Sequence, residues 1–177
     1  MTPREIEAFR TGYAAWFARA KPALDERRWK DAFAGFPAQK HSAIPFAAPI
    51  KSLREIRLGL LTTAGLYLKD EQQPFDAANV EGDASYRELP LALPRDRLGI
   101  AHDHYDHAAA EQDLNAVYPI ERLRELVDAG ELGELAPVAI STSGYCTRLD
   151  TIAEETAPRI AARMKALGVD AVLHLPV

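Results

Sequence analysis

The chain has 177 residues, 47% of them hydrophobic, with 26 acidic against 21 basic residues and an isoelectric point near 5.6. This suits one domain, or one domain with an extension, and it supplies enough apolar mass for a core. There is no basic stripe with interleaved aromatics to hold nucleic acid, and no apolar run near the roughly 18–20 residues needed to cross a bilayer. The lone cysteine, Cys146, cannot form an internal disulfide, and the opening MTPREIEAFR lacks the apolar stretch of a signal peptide. A soluble cytoplasmic protein is therefore expected.

Residues 3–20 place Ile6, Phe9, Tyr13, Trp16, Phe17 and Ala20 at helical spacing, with Arg4, Glu5, Arg10 and Arg19 elsewhere on the wheel. Thr2 and Pro3 read as N-cap and first turn. A second short helix is expected in ALDERRWKDAF. Trp16, Phe17, Trp29, Phe33 and Phe36 make this the aromatic-rich end, expected to pack on the main domain or on another subunit. FPAQKHSAIPFAAPI, with three prolines, reads as a connector. Residues 1–49 are thus expected to form a helical arm and connector, and 50–177 an α/β domain.

In IRLGLLTTAGLYL, Leu58, Leu60 and Leu61 predict a buried strand that ends in small and hydroxyl residues. Ligands of open α/β sheets gather beyond strand carboxyl ends, so Thr62, Thr63 and Gly65 lie where a site would be. SYRELPL is a candidate edge strand, limited by Pro90, and RLGIAH is another strand. Asp113 to Ala129 reads as helical, with Ile120, Leu123, Leu126 and Val127 on one face and Gly130 as its stop. APVAISTSGY predicts a strand running into small residues. TRLDTIAEETAPRIAARMKALG predicts a helix that Pro158 kinks, or a second helix capped by Thr156. VDAVLHLPV is a last strand. The alternation predicts an open α/β sheet, at least partly parallel, with flanking helices and an N-terminal helical arm. Four loops are expected to meet on one rim: TTAG, HDHYDH, STSGY and the end at LPV. Val177 follows an apolar strand directly, where a covering helix is normal, unless that strand is an edge.

Three of the five histidines fall in His102-Asp103-His104-Tyr105-Asp106-His107. On an extended backbone His102 and His104 share a side, which suits a metal site. The string also matches the H-x-H-x-D-H spacing of metallo-β-lactamase-fold hydrolases. In those enzymes the motif binds metals that activate a water. Here AAAEQD replaces the Gly-rich continuation, and only His174 lies downstream where two further histidines and an aspartate are needed. A structural reading stays open: Asp103 or Asp106 capping the turn, and a carboxylate orienting an imidazole.

LLTTAGLYLKDEQQPFD, EGDASYRELP, HDHYDHAAAEQDLNAVYPIERLRELVDAGELGELAP, GY and ETAPRIAARMKALGVDAVLHLPV occur in this order from about Leu58 to the last residue. That series resembles the selenoprotein B family of glycine, sarcosine, betaine and D-proline reductases, most strongly the D-proline reductase selenocysteine-subunit branch. The resemblance implies reductive C–N cleavage. A selenolate or thiolate attacks the carbon alpha to a carboxylate, the amine leaves, and a dithiol reduces the resulting mixed species. It implies no cofactor in this chain, a partner subunit holding a pyruvoyl group, a small amino-acid-like substrate and an oligomeric assembly. In the family the redox residue, selenocysteine or cysteine, follows the strand that here reads VDAVLHLPV. This sequence stops just before it, as expected of a selenocysteine UGA codon read as a stop or of a paralogue without the nucleophile. Cys146 lies after a different strand and is not given that role.

On this reading His102, His104 or His107 protonates the leaving amine, with Asp103 or Asp106 setting the tautomer. Arg87 pairs with the substrate carboxylate. Thr62, Thr63 and Ser141 supply hydroxyl donors, and Gly65, Tyr105 and Asn115 complete the substrate side. No metal ligand set is assigned.

Overall fold

The computed structural model describes residues 3–37 and 47–177. Thr2 and positions 38–46 of the proline-rich connector lie outside these. The chain divides into two compact units, Met1–Ala47 and Ala48–Val177.

In the first unit, α1 spans Pro3–Asp25 and α2 spans Trp29–Ala32. The helix expected over ALDERRWKDAF is broken. Its first residues extend α1, and Arg27 turns the chain at φ 56° before α2 begins. Trp16 centres this unit. Its indole N–H donates to the Ala32 carbonyl at 3.0 Å, and Phe33 and Phe36 lie against its ring at 5.6 and 4.8 Å. An indole needs such an acceptor once it is buried.

The second unit is built on a mixed sheet. β1 (Arg57–Thr62) is its centre. On one side β1 pairs in parallel with β5 (Glu134–Leu135) and then with β6 (Val138–Thr142); on the other it pairs in parallel with β7 (Ala171–Leu175). Leu58 faces Leu135 and Leu61 faces Ile140, so two extra residues fall between the pairings, where Pro137 interrupts the ladder. The strand expected in APVAISTSGY is β6, and the two-residue β5 just before it pairs with the same edge of β1 across this bulge. β3 (Tyr86–Pro90) runs antiparallel to β6 along the far edge, as its proline requires, and β7 pairs with β1 alone. The expected α/β class holds, with flanking helices and an N-terminal helix.

Side chains alternate across β1. Leu58 and Leu60 join a core with Leu66, Leu89, Leu123 and Ala139, whereas Leu61 joins Ile140, Ile160 and Met164 on the opposite face. Gly59 lets the helix on that face approach: a Cβ there would lie 2.9 Å from the Met164 sulfur. That helical stretch is α5 (Leu149–Thr151), a π-turn (Ile152–Thr156) and α6 (Ala157–Ala166), ended by Gly168 at φ 70°. Pro158 has no N–H for the Glu154 carbonyl, and the backbone adjusts with the π-turn instead of stopping. Thr156 does not cap α6. Its hydroxyl donates to the Ala84 carbonyl at 2.6 Å.

The first core is closed by α4 (Ile120–Asp128) and by a separate two-stranded sheet of β2 (Leu66–Leu68) and β4 (Leu98–Ile100). The strand expected at RLGIAH therefore lies outside the main sheet, paired with the residues that follow Gly65. Asp113–Ala129 is not one helix. Asp113 caps a short 3-10 turn at Leu114–Ala116, α4 starts only at Ile120, and a further helix, α3 (Ala108–Gln112), precedes them. Leu126, expected on the buried face of α4, is 37% exposed. Among the described residues no helix is long and apolar enough to cross a membrane.

Leu60 is 2% exposed. Leu60→Ala is expected to cost about 2–5 kcal/mol in urea unfolding, and Leu126→Ala less than about 0.5 kcal/mol.

Candidate functional site

The four loops expected on one rim do meet there, and residues 62–65 make the connections. The Thr63 N–H donates to the Leu175 carbonyl (3.1 Å), and its hydroxyl accepts the Val177 N–H (2.8 Å). The Gly65 N–H donates to the Thr142 carbonyl (3.0 Å), and the Gly65 carbonyl accepts from Ala101 (2.9 Å). The Thr62 hydroxyl is fully buried and donates to the Val117 carbonyl at 2.8 Å. Gly65 has φ 68°, and a Cβ there would lie 2.6 Å from the Ala101 carbonyl and 2.8 Å from the His102 side chain. It is a glycine because two chain segments touch at this point.

His102 is the buried member of the histidine block, at 3% exposure. Its Nδ1 accepts the His104 backbone N–H at 3.1 Å, so the neutral ring carries its proton on Nε2. That Nε2 is buried and has no hydrogen-bond partner among the described residues; the same is true of the Ser141 hydroxyl. An unpaired buried donor costs about 1–3 kcal/mol, which calls for a reason to keep it. Gly144 lies beside it: a Cβ there would come within 2.8 Å of His102 Nε2, 3.0 Å of the Val177 carbonyl and 3.2 Å of the Thr63 hydroxyl. Three polar atoms from three loops therefore converge on one glycine. Burial holds the His102 imidazole below its ordinary value of 6.5; the neighbouring His104 and His107 push the same way, and Asp103 opposes them.

The rest of the block divides by task. His104 is exposed and stacks on the Tyr145 ring at 4.2 Å. His107 Nε2 donates to the His102 carbonyl at 2.7 Å. Tyr105 donates its hydroxyl to the Ala64 carbonyl at 3.3 Å and lies 4.5 Å from the His107 ring. Asp106 accepts the Ala108 N–H at 2.9 Å, a turn that leads into α3, whose own N-cap residue His107 makes no side-chain cap. Neither aspartate orients an imidazole through a hydrogen bond seen here. The partners of His102 and His107 are backbone groups, and these set the tautomers.

Two expected residues lie elsewhere. Arg87 donates to the Gln73, Pro74 and Tyr86 carbonyls and to the Ser85 hydroxyl, and its guanidinium lies 4.3 Å from the centre of the Phe75 ring. Its donors are committed to the loop before β3. Asn115 bonds Asp113 and Glu121 in a network that also includes Arg95. Gly144, Tyr145 and His174 were not foreseen as site residues. The only sequence signal for the first two is the small-residue run STSGY. Cys146 pairs in an isolated bridge with Gly82, and burial raises its thiol, which disfavours the thiolate. Among the described residues no three His, Cys, Asp or Glu side chains converge to hold a metal ion. With ring nitrogens of His102 and His107 given to backbone groups, the H-x-H-x-D-H spacing does not assemble a ligand set.

The depressed His102 value has a consequence for stability. Below 6.5 the unfolded chain takes up a proton that the folded ring resists, so stability falls as pH drops below 6.5 toward the folded value. Urea unfolding across that window is expected to show this slope in the native chain and a shallower one in His102→Asn.

The model of the family described as glycine/sarcosine/betaine reductase selenoprotein B matches residues 25–175, starting earlier than the motifs that begin near Leu58. The chain is 33% identical over 130 residues to D-proline reductase subunit gamma of Acetoanaerobium sticklandii, covering 73% of this chain and 52% of that protein. It is 30% identical over 138 residues to glycine reductase complex component B subunit gamma of Carboxydothermus hydrogenoformans, covering 77% and 32%. It is 29% identical over 140 residues to betaine reductase complex component B subunit beta of Peptoclostridium acidaminophilum, covering 77% and 31%. The matched region thus spans about half the first relative and about a third of the other two. No solved structure matches.

Proposed function

Because the chain belongs to the glycine/sarcosine/betaine reductase selenoprotein B family, we propose that it acts as part of a reductase subunit that cleaves the C–N bond of a small amino-acid-like substrate. The names of its relatives support the reductase class. The observation within the molecule that carries the reading is the convergence at Gly144: an unpaired buried His102 Nε2, the Thr63 hydroxyl and the Val177 backbone meet at the carboxyl ends of parallel strands.

In this reading a selenocysteine or cysteine following Val177 is the nucleophile. Its selenolate or thiolate bonds to the substrate carbon alpha to the carboxylate, and the C–N electron pair leaves with the amine. A dithiol then supplies two electrons. One thiolate attacks the selenium or sulfur, the carbon departs and takes a proton, and the second thiolate frees the nucleophile and leaves a disulfide. This chain holds no cofactor in the reading, and a partner subunit carries a pyruvoyl group. Thr63 holds the backbone at Val177, so that a following residue emerges beside His102. His102, kept neutral by burial, is suited to donate a hydrogen bond and poorly suited to give up a proton. His104, exposed and stacked on Tyr145, is the proton donor to the amine.

In the reconstituted reductase, His104→Ala is expected to lower turnover by about 10²–10⁴-fold with folding intact; unchanged turnover removes the acid role. Reading the gene past codon 177 tests the nucleophile. An in-frame UGA or cysteine codon followed by coding sequence is expected, and continuing sequence with neither contradicts its placement.

A further inference from the structure

Among the described residues the exposed aromatic rings all lie in the first unit. Phe9, Tyr13 and Phe17 recur every fourth residue along α1, with successive ring centres 6.2 Å apart. Phe36 meets this ridge edge-on, 6.4 Å from the Tyr13 ring and 5.8 Å from that of Phe33. Trp29 stands one turn before Phe33 and extends the surface by helical spacing. Both helices thus contribute to one aromatic face.

That face is held in shape from beneath. Trp16 is buried, and its indole bond to the Ala32 carbonyl fixes α2 against α1. The outer rings therefore lose little freedom when something covers them. The other buried residues of the unit are Ile6, Ala20, Ala23 and Ala32, so most of its large apolar surface is on the outside. Residues 3–37 also fall below the roughly 40-residue size at which a core closes without help from a disulfide, a metal or an oligomer.

The exposed area suits a second copy of the chain. Tyr13, Phe17, Trp29, Phe33 and Phe36 are 42%, 43%, 57%, 52% and 36% exposed. At about 150–250 Å² per aromatic side chain, they leave roughly 350–580 Å² open on each copy. A two-fold pair would bury about 700–1,150 Å² from these rings alone, which reaches the roughly 1,000 Å² of a specific interface. Ridges at four-residue spacing pack against their own kind at a crossing angle near −50°, and a two-fold axis brings the same ridge from both copies. The family model begins at residue 25, so a partner common to the family does not account for the rings of α1. An anionic membrane is a poorer match, because basic groups beside the face are engaged. Lys21 pairs with Asp25, Arg28 pairs with Glu26 and Asp31, and Arg19 donates to the Ala34 and Gly35 carbonyls.

We propose that the aromatic face of α1 and α2 is a two-fold dimer interface, in which the Phe9–Tyr13–Phe17 ridge of each copy packs against that of the other and Trp29 and Phe33 close its edge. This stands on the geometry of the first unit and does not depend on the reductase reading.

Sedimentation equilibrium of the 177-residue chain, from about 1 to 100 µM, tests it. The mass is expected to rise with concentration toward twice 19.5 kDa. Phe17→Lys and Trp29→Lys are each expected to raise the dimer dissociation constant by about tenfold or more. Leu126→Lys, at an exposed position of α4, is expected to leave it within about twofold. In the wild-type dimer, isotope-filtered NMR is expected to show NOEs between copies among the Tyr13, Phe17 and Trp29 rings. A chain that stays monomeric at about 100 µM, whether or not it floats with anionic vesicles, overturns the assignment. So does a dimer whose NOEs between copies lie elsewhere, or one that folded Phe17→Lys and Trp29→Lys chains keep at full strength. The wild-type NOEs decide the question even where a variant loses the Trp16 indole signal of the folded unit.

Discussion

Four consecutive residues, Thr62-Thr63-Ala64-Gly65, hold the rim together. Each loop is tied to this segment or packed against it: 175–177 through the backbone and hydroxyl of Thr63, 142–143 through Gly65 and the Ala64–Ser143 bridge, 101–105 through Gly65 and the Tyr105 hydroxyl. The strand feeding the segment is the sheet's centre, paired on both sides, so the anchor is rigid. A fully buried threonine bonded to Val117 adds a further fixed point. Thr62, Thr63 and Gly65 thus have tasks in the fold before any ligand arrives, and the polar groups around them are positioned by backbone contacts more than by one another.

That arrangement makes a buried histidine tolerable. His102 gives Nδ1 to its own loop and keeps Nε2–H unpaired against Gly144. The fold bears the cost of an unsatisfied donor and of a ring that resists protonation. In a stability-driven core a hydrophobic residue would remove both costs. Retaining them at strand carboxyl ends, in a fold whose Ser141 hydroxyl is also buried and unpaired, is the pattern of a site organised for something other than packing.

Much of this was legible in the sequence, for reasons that differ by residue. The apolar runs at Leu58–Leu61 and Val138–Ile140 read as strands because both sheet faces are covered, and Pro90 marked its strand as an edge. The meeting of TTAG, HDHYDH, STSGY and LPV followed from parallel topology. Two of the failures depended on partners elsewhere along the chain. Arg87 looked free for a carboxylate until Gln73, Pro74 and Ser85 folded onto it. Thr156 looked like a cap, but the Ala84 carbonyl, seventy-two positions away, took its hydroxyl. Ala108–Gln112 carried no amphipathic signal, because a five-residue helix is too short to show one. The aspartates of HDHYDH looked like tautomer-setting partners, yet backbone groups do that work.

The central claim is that the Thr63 clamp sets the geometry of a reductase site. Thr63→Val keeps the shape of the side chain and removes the acceptor of the Val177 N–H. In the reconstituted reductase the account predicts a loss of amine release of about tenfold or more, with the melting temperature little changed. Wild-type turnover from a folded Thr63→Val protein would contradict it.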